Sequence, residues 1–309
     1  MRLVTFLVGG TERLGAVIDG RVIDVRDAAD ALAGPGGEHD TPALPADMLT
    51  LLRLGAPGLD VVRALLDMVD ASNTTTPYAY DLSAVRVRAP IPAPGKILCI
   101  GRNYREHAEE EGAAIPEEPL VFAKFANTII GPDDEIVRPP TTRELDYEAE
   151  LVVVIGTVGK HIPPEHALDH VVGYTIGHDV SARDLQRTDA QWVRAKSSDT
   201  FAPLGPALVT RDDVPDPHAL DIRLWVNGDL RQNSNTSLMI ADIPALIAFI
   251  SESITLAPGD LIFTGTPAGV GAFRDPPLFL QPGDEVAIEV TSLGRLSNKI
   301  VATMGGPRD

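Results

Sequence analysis

The segment ELDYEAELVVVIG, Glu144 to Gly156, sets acids at every second position: Glu144, Asp146, Glu148 and Glu150. An apolar run, Leu151 to Ile155, follows them. In a strand, side chains two apart share one face, so these carboxylates are expected to crowd one side at the mouth of a buried strand. Two unit charges ~4 Å apart repel by about 4 kcal/mol at an effective dielectric near 20. An exposed face would relieve that repulsion, and so would a cation. Asp179 favours the cation, because it ends a second strand-like run that begins at Val171. Glu148, Glu150 and Asp179 make a hard, all-oxygen donor set. Such a set selects Mg²⁺, Mn²⁺ or Ca²⁺ over Zn²⁺ and leaves about three octahedral positions for water and substrate.

Other residues have the types that acid–base chemistry needs. In GRNYREHAEEEG, His107 and Glu110 are three apart, which places them on one face of a helix. A His held by a carboxylate is a general base; a solvated charge run fits the same composition. Lys196 stands between Trp192 and Phe201, where a surface lysine is the plain alternative. LIFTGTPAGVG is a tight Gly-rich loop after a strand and lacks the Gly-Lys-Ser/Thr ending of a phosphate loop. His166 and His170 have i,i+4 spacing with no third ligand nearby and read as surface residues. The sequence contains neither G-x-S-x-G nor H-E-x-x-H.

These residues need elements to carry them. From Lys96 onward strand-like segments dominate, among them KILCIG, LVFAKF, AELVVVIG, VVGYTIGHDV, LDIRLWVNG, DLIFTG and DEVAIEV. Helical spacing appears in YREHAEEEG, PPEHALDHV and IADIPALIAFISES, and earlier in DMLTLLRLG and GLDVVRALLDMVDA. Asp19-Gly20 and Asn227-Gly228 sit between apolar runs and signal hairpins. GPGGEHDTPALP and SNTTTPYAYDLS read as loops, and APIPAPG, Ala89 to Gly95, as an extended linker. The pattern does not alternate strand and helix, so a β-rich α+β fold is expected rather than a doubly wound sheet. We expect a small N-terminal α+β domain over residues 1–89 and a main domain over 90–309. The first is expected to supply no catalytic group.

Composition narrows the function classes. The 309 residues are 44% hydrophobic, enough for a sizeable core, and 27 Gly with 26 Pro favour turns and short strands. A net charge of −18 repels nucleic acid and anionic membranes, so neither is expected as a partner. An anionic substrate would need local positive charge. The lone Cys99 lies in an apolar run and reads as a small core residue. One cysteine, no signal-peptide pattern and no run of about 20 apolar residues suggest a cytoplasmic protein.

Five segments occur in one order: GRNYREHAEE, LDYEAELVVVIG, GYTIGHDVSARDLQ, RAKSSDTFAPLGP and LAPGDLIFTGTPAGVG. Together they resemble the fumarylacetoacetate hydrolase family from about Lys96 to Ala302. The N-terminal part is similar to the extra domain of the longer bacterial members, of the 2-hydroxyhepta-2,4-diene-1,7-dioate isomerase or acylpyruvate hydrolase type. The resemblance implies a β-roll catalytic domain, a homodimer, and one Mg²⁺ or Mn²⁺ per subunit, with Ca²⁺ as a substitute. It implies Glu148, Glu150 and Asp179 as ligands and His107 with Glu110 as the pair that activates water. It places Arg183, Gln186 and Lys196 around the substrate oxygens, with Gln186 and Lys196 catalytic, Thr266 on a substrate carboxylate, and Arg102 and Tyr104 in the substrate-binding set. Relatives often have Gly before the lysine and Phe two after it; here stand Ala195 and Ser198, which changes the expected size and polarity of the pocket.

The implied substrate is a small anionic 2-oxo acid, and the expected reaction is hydrolysis of a C–C bond in an acylpyruvate such as fumarylpyruvate or acetylpyruvate. The same family chemistry includes decarboxylation of oxaloacetate and tautomerisation of a 2-hydroxymuconate-type diacid. A catalytically silent ligand-binding protein is the alternative of another class, and the full set of acids with His107 and Lys196 argues against it.

Overall fold

The computed structural model describes residues 1–33, 44–69 and 76–303. The loop expected at 34–45 lies mostly outside these ranges, as does the start of the one expected at 72–83. Among the described residues no helix is long and apolar enough to cross a membrane.

The fold is β-rich with several short helices. A twelve-stranded sheet has the strand Ala149–Ile155 near its centre, antiparallel to Val171–His178 on one side and Leu261–Phe263 on the other. Its two sets of alternate side chains enter different cores. Leu151, Val153 and Ile155 pack with Ile176, Leu246 and Ile288. Val152 and Val154 pack with Leu204, Leu208 and Phe263. Burial on both faces explains why the run reads as continuous Val and Ile rather than as an alternation. A five-stranded sheet, from Asp229–Asn235 to Glu135–Arg138, covers one side. Both expected hairpins form. Ile18 pairs with Arg21 and Val226 with Asp229, and all four turn residues have positive φ, the requirement of a two-residue type I′ turn.

The helical segments expected at 47–55 and 58–71 form one element, Met48–Met68, broken at Gly55 (φ 64°, ψ −146°) ahead of Pro57, with 70–71 outside the described residues. The segment read as a loop after Pro77 contains a short strand, Ala79–Asp81, paired with Arg21–Asp24. Cross-strand pairing recruits it despite weak local propensity.

Residues before Ala89 join the rest through a shared sheet and core. Arg2 and Leu3 pair with Val209 and Leu208, and Leu3, Ile23, Met48 and Leu51 belong to the core of Cys99, Val152 and Phe263. The N-terminal ammonium reaches Thr210 Oγ1 at 2.6 Å and Asp213 Oδ2 at 2.7 Å. A chain truncated to start at Pro90 would expose the edge of Ala202–Thr210 and one side of that core. Aggregation is the expected outcome, read by size-exclusion chromatography. A soluble, metal-binding truncated protein would instead support an independent domain over 90–309.

Candidate active site

Strand register builds the carboxylate cluster. Ala149 pairs with His178, so Glu148 and Asp179 extend from the two strand ends side by side, and the Asp179 amide donates to the Glu148 carbonyl at 3.0 Å. Glu150 lies one pair inward, opposite Gly177. One oxygen from each of Glu148, Glu150 and Asp179 lies within 4.8 Å of the others, and all three side chains are buried.

The other two acids of the opening motif go elsewhere, so the expected row of four on one face does not form. The pairing breaks between Leu145–Asp146 and Ala149–Ile155. Glu144 faces the surface and pairs with Arg187. Asp146 accepts from the amides of Gly271 and Ala272 at 2.7 and 3.0 Å and from Arg183 Nε at 2.8 Å.

Three buried bases answer the acids. Lys196 Nζ bridges Glu148 and Asp179, 2.8 Å from each. Lys124 Nζ donates to the other Asp179 oxygen at 2.5 Å, and Arg183 Nη2 to Glu148 at 2.5 Å. Lys196 is only 2% exposed, so the surface reading is excluded. Burial alone would raise Glu148, but Lys196, Arg183 and His107 hold it well below the usual carboxylate range. Among the described residues Glu150 has no basic side chain bonded to it; it accepts from the Gly265 amide at 2.8 Å. Burial, then the charges of Asp179 and Glu148, push it well above that range. Burial lowers Lys196, but Asp179 and Glu148 outweigh this and raise it. Next to the cluster, burial and the Lys124 and Lys196 charges bring His178 down to about 3, so it is neutral.

Asp146, Glu148, Glu150 and Asp179 against Lys124, Arg183 and Lys196 leave one excess negative charge. The donor set fits a hard divalent cation: it is all oxygen, closely spaced and buried.

His107 projects from the short helix Arg105–Glu110 and is buried. Its Nδ1 is 3.4 Å from Glu110 Oε2, and the Glu110 carboxylate accepts from the Gly269 amide at 3.0 and 3.1 Å. The Gly-rich loop thus presents backbone amides to carboxylates: Gly265 to the cluster and Gly269 to the dyad. Gly269 has φ +104°, and a Cβ there would meet the Arg231 carbonyl oxygen at 2.3 Å. Gly269→Ala is expected to shift the loop and lower kcat about 10²-fold, the cost of misplacing an acid–base group by ~1 Å, while metal affinity measured by calorimetry stays unchanged.

A cavity of about 370 Å³ connects these groups. His107, Glu148, Glu150, Arg183, Gln186, Lys196, Thr266 and Arg102 line it, with Phe122, Trp192 and Phe273 as an aromatic wall. Gln186 accepts from Arg183 Nη1 at 2.9 Å. The Thr266 hydroxyl donates to the Ala149 carbonyl and accepts from Gln232 Nε2, both at 2.9 Å. Tyr104 lies outside the lining; it is 1% exposed, and among the described residues its buried hydroxyl has no hydrogen-bond partner. Cys99 is fully buried, which pushes its thiol up and keeps it inert. His166 is exposed and pairs with Asp169, and His170 bonds the Thr157 carbonyl.

Sequence reasoning missed Lys124, Asp146 as a loop anchor, Glu111 and Phe273. Lys124 carried a signal: a lysine inside the apolar run LVFAKF is costly to bury without an acid to meet it.

Fold and site together define an enzyme built around a buried carboxylate cluster. The chain belongs to the fumarylacetoacetate hydrolase family: the description "Fumarylacetoacetate (FAA) hydrolase C-terminal" matches residues 96–301. Among its relatives is the mitochondrial oxaloacetate tautomerase fahd2 of Xenopus laevis, 49% identical over 262 residues, covering 84% of this chain and 80% of that one. The mitochondrial oxaloacetate tautomerase FAHD2B of Bos taurus is 48% identical, covering 90% and 91%. Among solved structures, the maleylpyruvate hydrolase of Sphingobium sp. SYK-6, in complex with manganese(II) and pyruvate, is 33% identical with a TM-score of 0.76, covering 98% and 99%. A fumarylacetoacetate hydrolase from Exiguobacterium antarcticum is 34% identical with a TM-score of 0.78, covering 98% and 99%.

Proposed function

We propose that this protein interconverts the keto and enol forms of a small 2-oxo diacid of the oxaloacetate type, with a divalent metal as cofactor. The observation that carries this is His107, held by Glu110, on the wall of the cavity that Glu148 and Glu150 of the cluster also line. Relatives 48–49% identical over most of both chains bear the name oxaloacetate tautomerase.

Glu148, Glu150 and Asp179 would hold Mg²⁺ or Mn²⁺, which when bound supplies positive charge to attract an anion and polarise a carbonyl. Glu110 engages His107 Nδ1, which leaves Nε2 as the exchangeable site. Nε2 takes a proton from C3 of the keto acid and delivers it to the oxygen on C2, so the enol forms with no net proton change. Glu110 stabilises the imidazolium in between. Lys196 and Gln186 are donors at the cavity wall for the oxygen on which charge develops.

Acylpyruvate hydrolysis uses the same groups with water as the nucleophile. It draws support from the family and from the Sphingobium maleylpyruvate hydrolase. Enol-oxaloacetate given to the Mn²⁺- or Mg²⁺-loaded protein should lose its enol absorbance faster than in buffer, with pyruvate release assayed separately to count decarboxylation. Fumarylpyruvate, acetylpyruvate and a hydroxymuconate diacid complete the panel. A kcat/KM for acylpyruvate cleavage above that for oxaloacetate would overturn the tautomerase reading. A homodimer and a cytoplasmic setting are further proposals, resting on the family resemblance and the single cysteine; light scattering tests the first.

A further inference from the structure

Arg102 lines the active-site cavity, and its backbone has φ 56°, a region that non-glycine residues rarely occupy. Its Nε and Nη2 grip the two oxygens of Glu111 at 2.7 Å each, a bidentate fork–carboxylate pair. Glu111 also lines the cavity and sits at the C-terminal cap of the helix that carries His107 and Glu110. Both side chains are partly exposed, 30% and 26%. The guanidinium holds the Glu111 carboxyl below its ordinary value, and the charges of His107 and Arg183 add to this.

The other cations of the cavity wall are engaged differently. Lys196 bridges two members of the carboxylate cluster. Arg183 is spread over Asp146, Glu148 and Gln186 and is buried. Arg187 pairs with Glu144. Arg102 differs in that its partner is a carboxylate on the cavity wall that, among the described residues, anchors nothing else. An incoming carboxylate can replace Glu111 on the fork without changing the net charge around Arg102.

We propose that Arg102 is the receptor for the distal carboxylate of a diacid substrate, and that Glu111 occupies its guanidinium as a stand-in until the substrate displaces it. This rests on the reading of the site as acting on a 2-oxo diacid, and it explains how the site prefers a diacid to a monoacid of the same length. Substrate binding then also releases the end of the helix that holds His107.

The test compares two stable ligands that differ only at the distal end, malate and 2-hydroxybutyrate, titrated calorimetrically into the Mn²⁺-loaded full chain. Wild type should bind malate more tightly. Arg102→Gln should weaken malate by about 10- to 100-fold, the worth of a charge-assisted pair, and leave 2-hydroxybutyrate unchanged. Glu111→Gln removes the competitor and should tighten malate several-fold; this variant leaves Arg102 in place and guards against a folding defect in the first. Equal weakening of both ligands by Arg102→Gln, an unaltered malate affinity, or no preference for malate in wild type would each overturn the proposal. Malate binding that depends on Arg102 in a protein inactive on oxaloacetate would uphold the receptor and reject the tautomerase reading. Oxaloacetate turnover with a KM unmoved by Arg102→Gln would do the reverse.

Discussion

Asp179→Ala and Glu150→Gln are both expected to abolish turnover, yet to move the melting temperature of the metal-free protein in opposite directions. Each substitution removes one of the three carboxylates that would hold the metal, and chelation by EDTA should silence the wild type in the same way. Their effects on the apo protein differ because their partners differ. Asp179 holds both Lys124 and Lys196, at 2.5 and 2.8 Å, and the Lys124 side chain is 0% exposed. Deleting the carboxylate strands buried ammonium groups, a loss of about 3–5 kcal/mol. That corresponds to a fall on the order of 5–10 °C. Glu150 has the reverse setting, with acids on either side and the Gly265 amide as its donor. Glutamine keeps the shape and accepts the same amide, but removes the charge that its neighbours oppose, so the melting temperature should rise. Scanning fluorimetry in EDTA reads both. A parallel fall of the two variants, or full activity in a chelated preparation, would show that the cluster is not the metal site described above.

His107→Ala should lower kcat on oxaloacetate by roughly 10²–10⁴, the range for losing a general acid–base group. Metal affinity should hardly change, because the imidazole does not belong to the carboxylate cluster. Glu110→Gln should follow the same pattern with a smaller loss, since the amide can still meet Nδ1 but cannot balance an imidazolium. The comparison with an acylpyruvate substrate is informative. If the imidazole moves a proton on carbon in one reaction and activates water in the other, both fall steeply. Small and equal losses on both substrates would mean that the helix Arg105–Glu110 serves as a cover and that the solvated charge run was the correct reading of that segment.

Much of the site was legible because it depends on short-range spacing. Strand period placed Glu148 and Glu150 near each other, and the apolar run after them identified the strand that carries them. Helical period brought His107 to Glu110. The failures have a common cause in contacts between distant segments. Strand period alone predicted four acids on one face; the strand pairing is interrupted at Tyr147 and Glu148, and Asp146 leaves to bind amides more than a hundred residues away. The boundary suggested by the proline-rich stretch at Ala89 is left to the truncated chain to test; what nothing local indicated is that Leu3 would lie beside Leu208 in a common sheet. Lys196 was assigned to the site by the family motif, while spacing alone left a surface lysine as the alternative, because its two partners come from the ends of two strands elsewhere in the chain.

The Gly-rich loop has one more consequence. Gly265 anchors a member of the carboxylate cluster and Gly269 anchors the partner of the base, so the backbone from 265 to 269 acts as a ruler between the two centres. Its setting is a count of residues rather than a choice of side chains. A single inserted residue can displace one end by up to ~3.5 Å, far more than a hydrogen bond tolerates. Natural variation in this enzyme should therefore spare the length of the loop while its intervening side chains drift.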